Sequence, residues 1–417
     1  MLVFFLEVFI KINYTLLKEK YNTPLYVYDT TIINNRIDIL KNNFKSDLYS
    51  TEIIYASKAF SIKEMLRIIA KKGLSLDVVS LGELYTALSV DFDMKKIYFH
   101  GNNKSYEELQ FAVEHGVGTI IIDNLMELEL LDSICKDLNK TQNIMIRLNL
   151  GIEAHTHKYI VTSHIDSKFG ILYASNDYKE MLKIINSSND IKLIGLHSHI
   201  GSQIFGLDAY KAEIKKLVDI AKEFNYPLAL NLGGGFGAFY TNEDKPISLD
   251  IIAKSLVEFT DEILKEENIS VTKLLIEPGR SIVCEAGSTL YTIGFIKKTP
   301  NKEYYFIDGG MTDNIRPALY QAKYDAFIVG KENDEKTETV TIAGKCCESG
   351  DIIIENYSLP KANSKDLLVV TSTGAYGYSM SSNYNKALTP AVVFVDEEKD
   401  YLVSKRQNYE DLIKREI

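Results

Sequence analysis

The chain has 417 residues, more than one average domain of about 100–200, with 46% apolar and 25% charged residues. That mix belongs to a globular protein and excludes disorder, collagen or coiled coil as the main theme. The formal net charge of -10 and a pI of about 5.4 argue against a nucleic-acid or anionic-membrane surface, which needs a basic stripe.

The N-terminal stretch MLVFFLEVFIKI is apolar but interrupted by Glu7 and Lys11. It lacks a basic leader and a small-residue cleavage site, and it is shorter than the ~20 apolar residues a membrane span needs. The expectation is a buried strand of a β domain. Four cysteines, Cys135, Cys284, Cys346 and Cys347, form no C-x-x-C pair. Structural zinc is therefore not expected, and the protein is expected to be cytoplasmic.

From about residue 50 a beat sets in. Short β-branched runs begin near Ile53 (IIYASKA), Ser75, Ile97, Thr119, Ile144, Leu193, Leu228 and Lys273, eight in all, with the first four starting 22 residues apart. The runs are continuous rather than alternating, which predicts parallel strands buried on both faces. Helical patterns separate them. Ser61 with Glu64 and Ser105 with Glu108 have capping-box spacing, and Gly73 and Gly116 stand where helices close. Eight strand–helix units predict a (β/α)8 barrel. A doubly wound sheet is the alternative, but its glycine fingerprint belongs after the first strand, and GGGFG at 233–237 follows the seventh.

After about Ser281 the beat changes. STLYTIGFIKK, EYYFIDGG, TETVTIAGK, DLLVVTSTG and AVVFVD succeed one another with turns between, which predicts an antiparallel β domain. The expected division is a barrel over 27–281 and a β domain from 1–26 and 282–417.

Barrel active sites form at the C-terminal ends of the strands. Those ends carry Lys58, Asp77, Glu83, His100, Asn102, Asp123, Arg147, His197, His199, Gly233 to Gly237, Glu277 and Arg280. Lys58 follows an apolar strand. Desolvated there, its amine suits a Schiff-base nucleophile; the alternative is a snorkelling surface lysine. Gly233, Gly234 and Gly235 offer backbone N–H groups to a phosphate, with Arg280 as its cation; otherwise they form a tight turn without a ligand. Glu277 is placed to hold a ring nitrogen protonated or simply to pair with Arg280. The pairs His197/His199 and His155/His157 open a weaker alternative, a metal-dependent hydrolase. In the second domain Cys346 and Cys347 are followed by Glu348 and Asp351, Tyr376 lies in a glycine-flanked turn, and Arg316 and Tyr320 stand four apart.

These motifs resemble the fold-type III pyridoxal-phosphate decarboxylases, whose fold is alanine-racemase-like, and most closely the branch acting on diaminopimelate. YASKA, HSHIGSQ, LNLGGGFG, IEPGR, CESGD and GAYGYSMSSNYN occur in family order over nearly the whole chain. The resemblance implies pyridoxal 5'-phosphate as cofactor and no metal. Lys58 would carry it covalently, His199 would stack on its ring, and Ser202, Gly233, Gly234, Gly235 and Tyr376 would hold its phosphate. Glu277 would pair with the ring nitrogen, and Arg280 would touch phosphate or a substrate carboxylate. Arg316, Tyr320, Glu348 and Tyr376 would bind substrate, and Cys347 would return the proton. It further implies a homodimer with shared sites.

The expected reaction is decarboxylation of meso-2,6-diaminopimelate to L-lysine and CO2. Its distal end carries both a carboxylate and an ammonium, matching Arg316 with Glu348. The alternative is another basic amino acid or polyamine precursor (ornithine, arginine, carboxynorspermidine). There a distal arginine would repel the ammonium by a few kcal/mol at an effective ε of about 20. A non-catalytic relative would be expected to lose Lys58 or Cys347; both are present. One departure stands out: Phe60 occupies the position after the lysine–alanine pair where the family usually has Asn, and its side chain is expected near the cofactor.

Overall fold

The computed structural model describes residues 12–152 and 166–417. The N-terminal segment expected as a strand and the AHTH motif lie outside the described residues. The chain divides into two compact units, one of residues 36–237 and 246–281, the other of 1–35, 238–245 and 282–417. Among the described residues no helix is long and apolar enough to cross a membrane.

Strand β1 (Leu25–Asp29) belongs to the second unit and straddles the expected boundary at 26/27. The first unit holds β2 (Ser50–Ala56), β3 (Ser75–Val78), β4 (Ile97–Phe99), β5 (Thr119–Ile122), β6 (Gln142–Asn149), the two-residue β7 (Ile171–Leu172), β8 (Ile191–His197), β9 (Ala229–Asn231) and β10 (Lys273–Ile276). All but β7 match the eight expected runs. They pair in parallel in the order β5-β4-β3-β2-β10-β9-β8-β6, and a β5–β6 pairing closes the barrel. Burial on both faces is why the runs are unbroken: β3, β4, β5 and β9 are buried at every position. Ile54, Tyr98, Ile121, Met145, Ala229 and Leu275 fill the interior as one cluster. Gly195 has no room for a side chain there, since a Cβ would come within 2.6 Å of the Ala229 carbonyl.

Polar caps start several of the connecting helices. Ser105 and Glu108 form the expected capping box ahead of Tyr106–Glu114. Ser61 does not cap its helix: Lys63–Lys71 begins after Ile62 with no side-chain cap, so the amphipathic face rather than the cap secures it. Gly73 and Gly116 end their helices at φ of 76° and 70°, left-handed values that glycine adopts without strain.

Among the described residues the second unit has one sheet of nine strands. β11 (Gly287–Lys298), β12 (Glu303–Ile307), β13 (Ala326–Ile328), β14 (Glu338–Ala343), β15 (Ile352–Leu359), β16 (Leu367–Val370), β17 (Ala391–Val395) and β18 (Asp400–Ser404) join β1 in it. The path β15-β14-β12-β11-β1-β17-β18 carries β16 and β13 as a branch from β11. The sheet is mixed, not antiparallel as expected, because β1 pairs with β17 and β12 with β14 in parallel. Neither pair is joined by a hairpin, so no tight turn imposes an antiparallel partner. Helix Tyr14–Tyr21 covers one face through Tyr14 and Leu17, packed with Val27, Leu290, Val369 and Val393.

Candidate active site

In the barrel unit the strand ends build the site. Lys58 sits in a short 3-10 turn, Ser57–Ala59, that follows β2. Two bonds pin this turn. The Tyr55 hydroxyl donates to the Phe60 carbonyl at 2.9 Å, and the Ala56 N–H donates to the Pro278 carbonyl at 3.1 Å. Gly279 permits the close approach, since a Cβ there would lie 2.9 Å from that of Ala56. Lys58 is exposed rather than desolvated, and its charge acts on Asp77, Glu83 and His199. Phe60 is fully buried, which makes it a core residue and not an open contact at the site mouth.

Glu277, just past β10, is 7% exposed and receives three N–H groups. His100 Nε2 lies 2.8 Å and Asn231 Nδ2 2.8 Å from Oε1, and His197 Nε2 lies 3.2 Å from Oε2. Burial works to raise the carboxyl pKa. The charges and hydrogen bonds of His100 and His197 outweigh it and hold the group well below the usual carboxylate range. Burial pushes His197 itself down to about 4, against the pull of Glu277, so its ring is neutral and donates through Nε2. Two lone pairs on each oxygen give four acceptor sites, and three are filled. Oε2 keeps one for a further donor. The ligand atoms of His100, His197 and Glu277 lie within 4.8 Å of one another, a spacing a metal also tolerates, but their protons already pair them.

The glycine turn after β9 is shaped by close approach. A Cβ on Gly234 would lie 2.1 Å from the Glu277 carbonyl, and one on Gly235 would lie 2.2 Å from the Gly201 carbonyl. The Gly234 N–H donates to His199 Nδ1 at 3.3 Å, which orients the partly buried imidazole and leaves its proton on Nε2. Burial, then the charges of Lys58 and Arg147, keep His199 well below its ordinary pKa and hence neutral. Arg280 donates to the Ser202 hydroxyl at 3.0 Å, so a guanidinium, a hydroxyl and a side-chain-free turn belong to one unit. His199 also lines a cleft with Arg147 and Phe169, and the Arg147 guanidinium lies 4.6 Å from the Phe169 ring centroid.

In the second unit Arg316 and Tyr320 share a five-residue helix, Arg316–Tyr320, and face one another as their spacing requires. Arg316 is 8% exposed. Its guanidinium lies 5.4–5.5 Å from the centroids of Tyr240, Tyr320 and Tyr376, and Nε donates to the Tyr324 hydroxyl at 2.9 Å. Among the described residues no carboxylate pairs with it. Tyr376 holds a left-handed φ of 65° in its turn. Cys347 and Glu348 are exposed on one turn; the Cys347 N–H donates to Asn385 Oδ1 at 3.2 Å and the Tyr384 hydroxyl to Glu348 Oε1 at 2.5 Å.

The structure thus gathers Lys58, His199, Ser202, Gly233, Gly234, Gly235, Glu277 and Arg280 in one unit. Arg316, Tyr320, Tyr376, Cys347 and Glu348 belong to the other. The sequence places His100, His197 and Arg147 at strand ends but offers a task, metal binding, only for His197, and it does not single out Asn231. The signal for Asn231 was its place at the end of β9. Nothing in the sequence marks Tyr240, which reaches Arg316 from a distant segment, or Tyr324, eight residues further on.

A barrel with a lysine at one strand end, a side-chain-free glycine turn with a guanidinium and a hydroxyl in the same unit, and a buried carboxylate with an open lone pair has residues that fit pyridoxal phosphate. Residues 33–284 match the family model described as the pyridoxal binding domain of pyridoxal-dependent decarboxylases. The diaminopimelate decarboxylase of Bacillus methanolicus is 48% identical over 94% of this chain and 92% of its own, and that of Bacillus subtilis 45% over 96% and 93%. The crystal structure of the diaminopimelate decarboxylase from M. jannaschi superposes with a TM-score of 0.90 at 33% identity, covering 96% of this chain and 93% of that one. The chain belongs to the diaminopimelate decarboxylase family of pyridoxal-dependent decarboxylases.

Proposed function

We propose that the chain decarboxylates meso-2,6-diaminopimelate to L-lysine and CO2 with pyridoxal phosphate. The observation that carries the substrate is Arg316, a buried guanidinium ringed by tyrosines with no acidic partner among the described residues. Such a group costs several kcal/mol to desolvate and is retained where an anion completes it. A distal carboxylate is that anion, and ornithine, lysine and arginine have none. The Helicobacter pylori diaminopimelate decarboxylase, 30% identical with a TM-score of 0.88, was crystallised with L-lysine, the expected product.

Pyridoxal phosphate supplies the electron sink for the pair left behind when the carboxylate departs. The Lys58 amine would be its covalent anchor. Glu277, held ionised by its N–H donors, would accept the ring N–H at Oε2 and keep that proton in place. The Gly234 N–H orients His199, which would lie against the ring. Gly233 to Gly235, Ser202 and Arg280 would hold the phosphate, with Tyr376. Tyr320 lines the distal pocket with Arg316, Glu348 takes the distal ammonium, and Cys347 Sγ delivers the proton that replaces CO2.

The reading includes a cytoplasmic homodimer in which Cys347 and Glu348 of one chain serve the barrel of the other. Cysteines that form no disulfide and the exposure of that turn support it. The test of the cofactor role is borohydride reduction of the holoenzyme followed by peptide mass mapping. A pyridoxyl adduct on the Lys58 peptide is expected, and an adduct on another lysine alone would overturn it.

A further inference from the structure

The decarboxylase reading leaves Asp351 of the GKCCESGD segment without a task, yet the residue is 2% exposed and both its carboxylate oxygens accept hydrogen bonds. Oδ1 accepts from the Met311 N–H at 2.6 Å and Oδ2 from the Cys346 N–H at 2.8 Å. One side chain thus ties the 310–313 turn to the cysteine turn. The Lys345 N–H adds a bond of 3.1 Å to the Gly309 carbonyl. The turn is closed on itself by Gly344 N–H to the Asp351 carbonyl at 2.9 Å and Asp351 N–H to the Glu348 carbonyl at 3.1 Å. Two glycines make room for the carboxylate. A Cβ on Gly310 would lie 2.6 Å from Oδ1, and one on Gly344 would lie 2.2 Å from Oδ2.

The clamp treats the adjacent cysteines differently. Cys346 is half-buried with its amide on Asp351, and burial, then the Asp351 charge, pushes its thiol up to about 11. Cys347 is exposed, with its own amide held by Asn385.

We propose that Asp351 is a positioning residue that clamps this turn so that Cys347, and not Cys346, is the thiol presented for reaction, with Glu348 held beside it. The proposal rests on the reading of Cys347 as the proton donor. An asparagine at 351 keeps one acceptor oxygen and turns an amide N–H toward one of the two backbone donors, which breaks a tie and leaves that donor unmatched.

Site-resolved alkylation tests it. The holoenzyme is treated with limiting iodoacetamide, and labelling rates at the two cysteines are read by peptide mass spectrometry. In the wild type Cys347 reacts about tenfold faster than Cys346 or more. In Asp351→Asn that ratio falls by about fivefold or more, and KM for diaminopimelate rises by a similar factor as Glu348 loses its place. Affinity for pyridoxal phosphate, which the barrel residues hold, is unchanged, a result that general unfolding would not give. Equal wild-type rates at the two cysteines would overturn the proposal without any variant, and so decide it even if Asp351→Asn does not fold. An unchanged ratio and KM in a folded variant would overturn it as well. The labelling ratio reads the turn whether or not CO2 is released, so failure of the clamp and failure of the decarboxylase reading are separable.

Discussion

Glu277 shows how a single buried carboxylate is kept ionised without a permanent cation beside it. Three N–H donors replace the water it loses, and one lone pair on Oε2 is left open. Glu277→Gln substitutes an NH2 that cannot accept, so at least one of His100, Asn231 or His197 faces a donor. Turnover is expected to fall about 100-fold or more while pyridoxal-phosphate affinity changes far less, because ring-nitrogen protonation matters most in the transition state. Turnover measured at saturating cofactor checks this, and a full rate there would refute the role. Arg316→Met removes a two-pronged charged contact. Two such hydrogen bonds at about 1.5 kcal/mol each predict a loss of about 100-fold in kcat/KM for diaminopimelate. The variant's melting temperature should rise or stay level, since an unpaired buried cation has gone.

The element proposed to hold the phosphate is the Gly233–Gly235 turn, and its demand for glycine is steric. Gly234→Ala drives a Cβ to 2.1 Å from the Glu277 carbonyl, so the turn must open and carry Glu277 with it. Cofactor affinity is expected to drop at least about tenfold, by loss of one charged-group hydrogen bond or more, as measured by equilibrium dialysis of pyridoxal phosphate. Wild-type affinity would mean that the turn does not hold the phosphate. Elements of this kind were legible in the sequence because their physics is local. Unbroken apolar runs marked the eight barrel strands, and Ser105 with Glu108 marked a helix start. What was illegible is nonlocal. β1 enters its sheet next to β17, more than 350 positions on, and no local pattern sets that direction. His100, His197 and Asn231 arrive at Glu277 from three strands, so no local pattern ties any of them to it. Phe60, at the position where the family usually has Asn, is fully buried while Lys58 two residues earlier is exposed, because the 3-10 turn sends the two side chains to different environments.

At the scale of the whole molecule, one buried acid couples folding to pH. Burial pushes the Asp313 carboxyl up to about 7, well above the usual carboxylate range, against a hydrogen bond from the Gly310 N–H. A raised folded pKa means that the native state holds a proton the unfolded chain has released. The contribution is therefore complete below about pH 4 and is lost as pH rises through 7, a change of roughly 4 kcal/mol. Asp313→Asn should flatten the fall in melting temperature between pH 5 and pH 8, read by calorimetry; an unchanged slope would contradict it. Assembly gives a second prediction. If two chains build each site, Lys58→Ala and Cys347→Ala chains are each nearly inactive. Mixed and allowed to exchange, half the molecules become heterodimers with one intact site of two, and about a quarter of wild-type activity returns. No recovery despite exchange shown by mass labelling would place each site within one chain.

The most direct measurement of the central claim is the product balance of the purified protein supplied with meso-2,6-diaminopimelate, with and without pyridoxal phosphate. The account predicts equimolar L-lysine and CO2 that depend on the cofactor, with little CO2 from lysine, ornithine or arginine under the same conditions. CO2 from those three at rates matching diaminopimelate, or none from diaminopimelate in the loaded enzyme, would contradict it.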